Sequence, residues 1–252
     1  MAIPHLVAHR GHMELYPENT LIGIEAALQC GAAYVEFDIQ STADGELVIF
    51  HDTTLERTTG VQGNLFEMSY DEIKNIRTHE PERFSLAYFK EHIPTLKQLV
   101  GLFMRYPQAT AFAEIKYQTV DQFGVEAVVE KLLQELEPIA RQAVVISYHH
   151  DALKQVKATS EYPTGWILRK YDEYHEKLAR ELNPDYLIIQ HRRLPVNQEP
   201  WQGDWQWMVY DITDPELALH YASFNVPLVE SRDICRMLEH PVLALDAIRH
   251  EA

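Results

Sequence analysis

The residues most capable of chemistry lie within the first 52 positions of the 252-residue chain, at the ends of short apolar runs. Four segments carry them: LVAHRG (6–11), YPENT (16–20), VEFDIQ (35–40) and LVIFHD (47–52). Two histidines, an arginine and four carboxylates in these segments can together hold a divalent cation, bind a phosphate group and transfer protons. The residue types therefore indicate an enzyme.

Three acidic residues are candidates for a metal site. Glu36 and Asp38 are two positions apart, so on a strand both side chains project from the same face. If Glu114 joins them, three carboxylates share one volume, and their repulsion requires either a proton or a cation. An all-oxygen ligand set favours Mg²⁺ or Ca²⁺ over zinc or copper. The alternative is that these acids form structural ion pairs with Arg10 and Lys116.

Two histidines are candidates for proton transfer, and two cationic side chains are candidates for phosphate binding. His9 and His51 suit the roles of proton donor and acceptor, because imidazole titrates near neutral pH. The alternative for each is a buried, hydrogen-bonded histidine without a catalytic role. Arg10 offers a planar fork for two phosphate oxygens and Lys116 a compact charge, whereas the alternative for both is a solvated charge at the rim.

Other routes to catalysis find little support in the sequence. His149, His150 and Asp151 open a predicted helix, where Asp151 most simply caps the first turn. The chain contains no GxSxG, phosphate-binding P-loop or HExxH pattern. The common serine-hydrolase, nucleotidase and zinc-protease sites are therefore not indicated.

The segments that must position the candidate residues alternate between short apolar runs and amphipathic stretches along the chain. Eight apolar runs are candidate strands, the number that an α/β fold of the TIM (β/α)8 barrel type requires. In such a barrel, side chains at the C-terminal ends of the strands converge on one site. The candidate strands are residues 5–9, 34–39, 110–116, 143–147, 164–168, 186–190, 205–210 and 227–231.

Amphipathic periodicity predicts helices between these strands. The first helix has Asn19 or Thr20 as its cap and Gly31 as its stop. The predicted helices are residues 20–31, 123–137, 151–160, 173–182, 214–223 and 236–250.

The second strand departs from simple alternation. Asp44-Gly45 between apolar alternations predicts a hairpin turn, and pairing across it would set Asp38 roughly opposite His51. Residues 53–93 do not match the repeating strand–helix unit of a barrel, which predicts a small insertion at the mouth of the barrel. Because the regular crossover resumes at residues 94–96, we predict one barrel domain over residues 1–252 that carries this insertion.

Composition and charge restrict the partners. A net charge of −16, from 38 acidic and 22 basic side chains, repels nucleic acid and anionic membrane surfaces. The first residues do not resemble a signal peptide, and no apolar run approaches the ~18 residues of a membrane span. We therefore expect a cytoplasmic protein without stable membrane insertion, which binds a small anionic molecule.

The chain contains two cysteines, Cys30 and Cys235. Their positions in the sequence suggest neither a disulfide framework nor a zinc cluster, so we expect both thiols to be reduced. The oligomeric state, monomer or homodimer, is left open by the sequence.

Taken together, the motifs resemble those of the glycerophosphodiester phosphodiesterase family. That family's pattern of HRG, ENT, E-x-D, HD and E-x-K is matched by residues 9–11, 18–20, 36–38, 51–52 and 114–116. The runs LERTTG (55–60) and IPTL (93–96) also look like the family's insertion and its exit. The resemblance is specific over residues 5–118.

The resemblance implies a TIM barrel with a small inserted region that hydrolyses glycerophosphodiesters to glycerol 3-phosphate and an alcohol, using one divalent cation, Mg²⁺ or Ca²⁺. The implied roles are metal ligands for Glu36, Asp38 and Glu114, acid and base for His9 and His51, phosphate ligands for Arg10 and Lys116, and a secondary role near the metal or at a substrate hydroxyl for Glu18. The attacking oxygen is left open, because either the neighbouring glycerol hydroxyl or water fits this set.

The C-terminal third matches the family less well. Tyr148 lies where an aromatic side chain often closes the pocket, and Trp207 is a candidate either for a pocket wall or for the core of the barrel. Asp211, Glu230 and Arg232 lie at the ends of the last two predicted strands. We expect them to alter substrate recognition.

Two further hypotheses stay open. A lysophospholipase D-type phosphodiesterase would need an exposed apolar surface near the mouth. The insertion offers Phe66, Met68, Phe84, Tyr88 and Phe89 for it, with packing onto the barrel as the alternative. The divergent last strands also admit a barrel that binds a phosphorylated ligand without turnover, or a metal-dependent sugar-phosphate isomerase.

Overall fold

The computed structural model describes residues 2–195 and 197–245, and its strands form one sheet that closes on itself. The strands are β1 (His5–Ala8), β2 (Tyr34–Ser41), β3 (Leu47–Ile49), β4 (Thr110–Ile115), β5 (Ala143–Ser147), β6 (Thr164–Ile167), β7 (Tyr186–Gln190), β8 (Gln206–Tyr210) and β9 (Leu228–Ser231). Eight of them are parallel neighbours around a ring, and β9 pairs with β1 to close it. The predicted TIM barrel is confirmed.

Helices follow the strands and cover the outside of the barrel. They are α1 (Leu21–Gln29), α2 (Glu56–Thr59), α3 (Tyr70–Ile73), α4 (Pro81–Phe84), α5 (Leu96–Phe103), α6 (Tyr117–Phe123), α7 (Val125–Leu136), α8 (His150–Thr159), α9 (Glu173–Leu182), α10 (Pro215–Ala222) and α11 (Ile234–Leu238), with short 3-10 turns at Leu65–Glu67, Glu137–Ile139 and His191–Arg193. Helix α1 begins where predicted, because the Thr20 hydroxyl accepts the N–H of Gly23. Among the residues described, no helix is both long and apolar enough to span a bilayer.

Two helix predictions need correction. The predicted helix 123–137 is preceded by α6, which apolar periodicity missed because its sequence YQTVDQF is mostly polar; Gly124, at φ +89°, separates α6 from α7. The predicted helix 236–250 is interrupted: α11 starts earlier, at Ile234, and ends at Leu238, and after a turn Ala244 and Leu245 are again helical. Residues 246–250 of that prediction lie outside the described residues.

The hairpin register differs by one residue from the prediction. Strand β3 runs antiparallel to β2 with Ile39 opposite Ile49, and the N–H of Phe50 donates to the carbonyl of Asp38. Asp38 therefore lies opposite Phe50, and His51 lies one position beyond. The reason is the turn, in which Thr42 N–H donates to the Glu46 carbonyl, so that the connection is centred on Asp44 rather than between Asp44 and Gly45.

The insertion contains α2, α3 and α4 and packs with strand β3 and Phe50 around a small second core. Buried in this core are Val48, Phe50, Leu55, Leu65, Ile73 and Ile93. Phe66 and Met68 pack against it, and the rings of Phe84 and Tyr88 meet edge to face with their centroids 5.1 Å apart. Phe89 is about half exposed. Most of the apolar side chains in the insertion are therefore used for packing.

The barrel interior shows how the strands build the site. Its apolar filling consists of Val7, Phe112, Val144, Ile146, Ile167, Ile188, Met208 and Leu228. Because side chains alternate along a strand, the residue two positions after an interior apolar side chain faces the same way, nearer the mouth. The pairs that follow this rule are Val7 and His9, Phe112 and Glu114, Ile146 and Tyr148, Met208 and Tyr210, and Leu228 and Glu230.

The two cysteines are joined by a disulfide, so the expectation of reduced thiols is wrong. Cys30 ends α1 and Cys235 lies in α11, with their Cα atoms 5.7 Å apart, inside the usual range for a disulfide. The helices meet because α1 follows the first strand of the barrel and α11 the last, and these two strands are neighbours. The separation of 205 positions in the sequence conceals this proximity.

We expect Cys235→Ser to lower the free energy of unfolding by about 2–5 kcal/mol, because the cross-link restricts the unfolded chain over a long loop. Urea titration of the oxidised protein and of the variant measures the difference. Reduced wild-type protein should match the variant, and a reductant should leave the variant unchanged. Two free thiols per chain in unfolded protein that was never exposed to reductant would contradict the disulfide.

Candidate active site

A cavity of about 240 Å³ opens at the C-terminal ends of the strands. Its lining combines apolar side chains from the barrel interior with charged and aromatic groups at the mouth: Ile146, Ile167 and Ile188 with His9, Arg10, Glu36, His51, Glu114, Lys116, Tyr148, Tyr210, Asp211 and Glu230. Most of the residues singled out in the sequence therefore share one volume. Asp38 lies directly beneath this lining, in contact with Arg10 and Lys116.

Three acidic residues form a compact cluster on β2 and β4. The register of these parallel strands sets Asp38 beside Glu114, and Glu36 lies two residues earlier on the same face of β2. Carboxylate oxygens of Glu36, Asp38 and Glu114 lie within 4.8 Å of one another, and all three residues are buried. The structure thus brings together the three residues that the sequence indicates as candidate metal ligands.

Asp38 is the best-compensated member of the cluster. Its carboxylate lies 2.9 Å from Arg10 Nε and 3.1 Å from Lys116 Nζ, and it accepts a 2.8 Å hydrogen bond from Asn19 Nδ2. Burial opposes ionisation of Asp38, but the two cations outweigh burial and hold the pKa of the carboxyl well below its usual range. Asp38 is therefore a carboxylate, and it also fixes both cations.

Glu36 is the least compensated. Its Oε2 accepts the backbone N–H of Arg10 at 3.1 Å, and its Oε1 is buried without a hydrogen-bond donor among the described residues. Burial, together with the nearby carboxylates of Asp38 and Glu230, raises the pKa of Glu36 well above its usual value. A buried carboxylate oxygen without a hydrogen-bond donor, in an all-oxygen cluster, fits a hard divalent cation.

His9 and His51 reach the cavity from β1 and from the residue after the hairpin. His9 Nε2 lies 4.0 Å from Glu36 Oε2 and 3.9 Å from Glu230 Oε1. Burial, and next the Arg10 cation, lowers the pKa of His9 to about 3, so this imidazole is neutral. His51 Nδ1 lies 2.6 Å from Asp52 Oδ1; because a carboxylate accepts, Nδ1 carries the proton and Nε2 is the free nitrogen.

The two cations of the site are held in place by acids. Arg10 Nη1 donates to Glu18 Oε1 at 3.0 Å, and Lys116 Nζ lies 2.8 Å from Glu114 Oε1. Burial disfavours the charge on Lys116, yet Asp38 and Glu114 raise its pKa, so Lys116 stays cationic. Arg10 has φ +52° and precedes Gly11, where any Cβ would lie 2.7 Å from the backbone of Gly23. This tight turn directs Arg10 into the cavity.

Two predicted pocket residues lie elsewhere. Glu18 does not line the cavity; it is buried behind Arg10, which it holds by the contact already described. Trp207 lies on the outer face of β8, where its Nε1 donates to the Trp201 carbonyl at 2.9 Å. The strand alternation that turns Met208 and Tyr210 inward turns Trp207 outward, so the prediction of a Trp207 pocket wall is wrong.

The last strands complete the lining with Tyr210, which the sequence analysis does not name, and with Asp211 and Glu230, for which it predicts only an effect on substrate recognition. Tyr148 is in place and its hydroxyl lies 2.9 Å from that of Tyr210. Glu230 enters from β9, and burial raises the pKa of its carboxyl to about 8. Asp211 lies at the rim, whereas Arg232 is bound to Glu14 outside the cavity. Extending the inward alternation from Met208 and Leu228 would have found Tyr210 and Glu230.

A closed parallel barrel with clustered carboxylates, two imidazoles and two buried cations at its mouth defines a TIM-barrel protein whose cavity suits a phosphate-bearing ligand. Sequence comparison gives the family. The glycerophosphoryl diester phosphodiesterase family matches residues 9–212, and the chain belongs to that family.

Individual relatives agree with this assignment. The chain is 32% identical over 190 residues to a glycerophosphodiester phosphodiesterase of Caldanaerobacter subterraneus, covering 73% of this chain and 76% of that protein. It is 33% identical over 148 residues to one of Bacillus altitudinis, covering 59% of each. It is 30% identical over 158 residues to glycerophosphodiester phosphodiesterase 1 of Bos taurus, covering 62% of this chain but only 46% of the bovine protein.

Solved structures show the same fold. A phosphodiesterase of Oleispira antarctica, in complex with the product sn-glycerol-3-phosphate, superposes with a TM-score of 0.82 at 24% identity, covering 98% of this chain and 97% of that one. A glycerophosphodiester phosphodiesterase of Agrobacterium tumefaciens gives 0.70 at 23% identity, covering 93% and 99%. At these identities the similarity concerns the barrel.

Proposed function

We propose that this protein is a divalent-cation-dependent phosphodiesterase that hydrolyses glycerophosphodiesters to glycerol 3-phosphate and an alcohol. The observation that carries the proposal is the convergence of Glu36, Asp38 and Glu114 in one cavity with His9 and His51. Family membership supports the reaction class, and the relatives named above are themselves glycerophosphodiester phosphodiesterases.

The acidic cluster would hold the cation. Glu36, Asp38 and Glu114 offer only oxygen ligands, which suits Mg²⁺ or Ca²⁺. When bound, such an ion withdraws charge from the phosphoryl oxygens. Its charge would also relieve the repulsion between buried carboxylates, of which Glu36 has the fewest partners.

Arg10 and Lys116 would bind the phosphate. Both line the cavity and both are already held by buried carboxylates, so their positions are set before the substrate arrives. Preorganised cations of this kind stabilise developing negative charge without a cost of reorientation during the reaction. The side chains of Arg10 and Lys116 are only 14% and 6% exposed, and this low exposure strengthens their attraction for an anion.

His9 and His51 would move the protons. One imidazole accepts the proton of the attacking oxygen as its bond to phosphorus forms, and the other donates a proton to the alkoxide as the second phosphorus–oxygen bond breaks. The attacker is either the adjacent glycerol hydroxyl, which gives a cyclic phosphate that water opens, or water itself. Asp52 fixes the ring of His51 by its contact with Nδ1.

Purified protein with Mg²⁺ or Ca²⁺ should release glycerol 3-phosphate and choline from glycerophosphocholine, or ethanolamine from glycerophosphoethanolamine. Coupled detection of glycerol 3-phosphate measures the rate, and mass spectrometry during the reaction reveals a cyclic phosphate if one forms. Tight binding of the substrate by calorimetry without any product would instead support a barrel that binds a phosphorylated ligand and does not turn it over.

A lysophospholipid is the second candidate substrate. Its support is a group of exposed apolar side chains, Leu86 and Phe89 in the insertion and Leu15 in the loop before α1. The Tyr88 hydroxyl donates to the Leu15 carbonyl at 2.7 Å, which brings these segments together. Comparison of kcat/KM on glycerophosphocholine and on long-chain lysophosphatidylcholine separates the two substrates.

A further inference from the structure

Arg57, in helix α2 of the insertion, lies outside the cavity but contacts two acids next to it. Its Nη1 and Nη2 donate to the two oxygens of Glu18 at 2.8 and 2.6 Å, a two-pronged contact. Its Nε donates to Asp52 Oδ2 at 2.6 Å. Three of the five N–H groups of one guanidinium are therefore used on two carboxylates from different segments.

Each of those carboxylates contacts a residue of the cavity. Glu18 Oε1 also accepts from Arg10 Nη1 at 3.0 Å, and Asp52 Oδ1 lies 2.6 Å from His51 Nδ1. Arg10, Glu18, Arg57, Asp52 and His51 thus form one continuous chain of side chains, called here the Arg57 chain. Its two ends line the cavity and its three middle members do not.

We propose that Arg57 is a positioning residue, which sets the placement of Arg10 and His51 relative to each other. The inference rests on the proposed function, in which Arg10 binds the phosphate and His51 transfers a proton. It gives the insertion a direct part in the reaction, because Arg57 of α2 contacts both Glu18 and Asp52, the partners of Arg10 and of His51.

Charge and burial support this role. Glu18 is 4% exposed and shared between two guanidinium groups, so without Arg57 a buried carboxylate would keep Arg10 as its one cationic partner. Burial opposes ionisation of both acids. Hydrogen bonds from Arg57 hold the pKa of Glu18 below its usual range, and hydrogen bonds from His51 and then from Arg57 do the same for Asp52. Both acids therefore remain acceptors for Arg10 and His51. Arg57 itself is 44% exposed, so it is not needed to fill the core.

Backbone contacts of the insertion are separate from the Arg57 chain. Glu80 Oε1 accepts the N–H of Glu18 at 2.5 Å, Arg83 donates to the carbonyls of Met13 and Glu14, and Tyr88 donates to Leu15. These bonds hold the loop before α1 whether or not Arg57 is present. Tyr88→Phe, which removes one of them, is a matched control for loss of a contact between the insertion and the barrel.

We expect Arg57→Gln to lower kcat on glycerophosphocholine by roughly 10–100-fold, the size of effect that loss of alignment produces. The KM should rise several-fold as well, because Arg10 loses its fixed position. Arg57→Lys keeps the charge but has one nitrogen in place of the fork, so it should recover less than about a tenth of the lost rate. Tyr88→Phe should stay within about twofold of wild type in kcat and KM.

Two measurements separate positioning from general loss of structure. Guanidinium added to Arg57→Ala should restore part of kcat, because the site of Arg57 is open to solvent. In the double variants with Asp52→Asn and Glu18→Gln, the combined loss should be smaller than the product of the single losses, as expected for members of one network. Full kcat in Arg57→Lys, or losses that multiply independently, would overturn the proposal.

One readout does not depend on turnover. The Nδ1–H proton of His51 should give a downfield NMR resonance in wild type that shifts or broadens in Arg57→Gln and is unchanged in Tyr88→Phe. If wild-type protein hydrolyses no glycerophosphodiester, the proposed function fails, and this resonance still tests the Arg57 chain. If wild type is active and neither the resonance nor kcat responds to Arg57→Gln, the positioning role alone fails.

Discussion

Replacement of His51 by alanine lowers kcat on glycerophosphocholine by about 10²–10⁴-fold, the usual contribution of a positioned acid or base. The variant should fold normally, because the His51 side chain is 32% exposed and, among the described residues, Asp52 is the one side chain that it hydrogen-bonds. Steady-state kinetics measures the loss, circular dichroism checks the fold, and calorimetry checks that the affinity for the cation is retained.

His9→Ala should show a loss of similar size, and the double variant should lose much less than the product of the two, since both residues serve one proton-transfer sequence. His175→Ala is the matched control, because His175 Nδ1 also lies 2.6 Å from an aspartate, Asp172, but on helix α9 away from the cavity. It should stay within about threefold of wild type. More than a tenth of wild-type kcat in His51→Ala would contradict the assigned role.

Much of the site could be predicted because strand alternation has a fixed period. Glu36 and Asp38 on β2 share a face for any straight strand, and the parallel register beside β4 brings Glu114 to the same level. The eight predicted strands all appear, with ends that differ by two residues or fewer. Glu36, Asp38 and Glu114 lie within strands, and His9 and Lys116 directly follow strands, so errors in the predicted helices do not affect their placement.

The wrong predictions concern features that depend on the closure of the barrel or on a shift of one residue in strand register. The position of Trp207 in the sequence leaves a pocket wall and the core as alternatives, and the alternation of β8 sends it to the outer layer. The Asp44-Gly45 pair predicts a hairpin symmetric about these two residues, but the turn is centred on Asp44, so His51 lies one position beyond the residue opposite Asp38. In both cases the local sequence does not determine the outcome: the alternation of the whole strand decides where Trp207 points, and the hydrogen bonds of the turn decide the hairpin register.

The disulfide illustrates the same limit at longer range. Cys30 and Cys235 are far apart in the sequence, and their proximity follows only from the pairing of β9 with β1. A barrel prediction contains this information, since the first and last helices must be neighbours. To predict the disulfide from this proximity, each cysteine must also be assigned to a helix and to one face of that helix. Apolar periodicity does not give this assignment for the short helix α11.

Chelation of divalent cations should abolish hydrolysis, and Glu36→Gln should have the same effect, with a loss of kcat of roughly a thousandfold, equivalent to several kcal/mol of transition-state stabilisation. Glu36 is the cleanest position to change. Asp38 and Glu114 also hold Arg10 or Lys116, whereas the Glu36 carboxylate forms no ion pair with a lysine or arginine among the described residues and accepts the backbone N–H of Arg10.

We expect Glu36→Gln to lower activity but to raise the thermal stability of the metal-free protein. Without added cation, the variant should melt at a higher temperature than wild type, because one of several crowded carboxylates is neutral. With added Mg²⁺ or Ca²⁺, wild type should gain stability and the variant should not, since a ligand stabilises only the protein that binds it. Glu135→Gln serves as the control, because Glu135 is a buried acid near Lys97 and Lys131, outside the cavity.

Calorimetry with Mg²⁺ and Ca²⁺ decides between a cation site and a set of structural ion pairs. A cation site predicts binding to wild type and to Glu135→Gln, and affinity at least tenfold weaker in Glu36→Gln, which loses a charged ligand. If the acids served only as partners for Arg10 and Lys116, wild type would bind no cation at this cluster and chelation would leave kcat unchanged. Hydrolysis by metal-free protein at the wild-type rate would therefore remove the metal from the proposed mechanism while leaving the two imidazoles to be tested on their own.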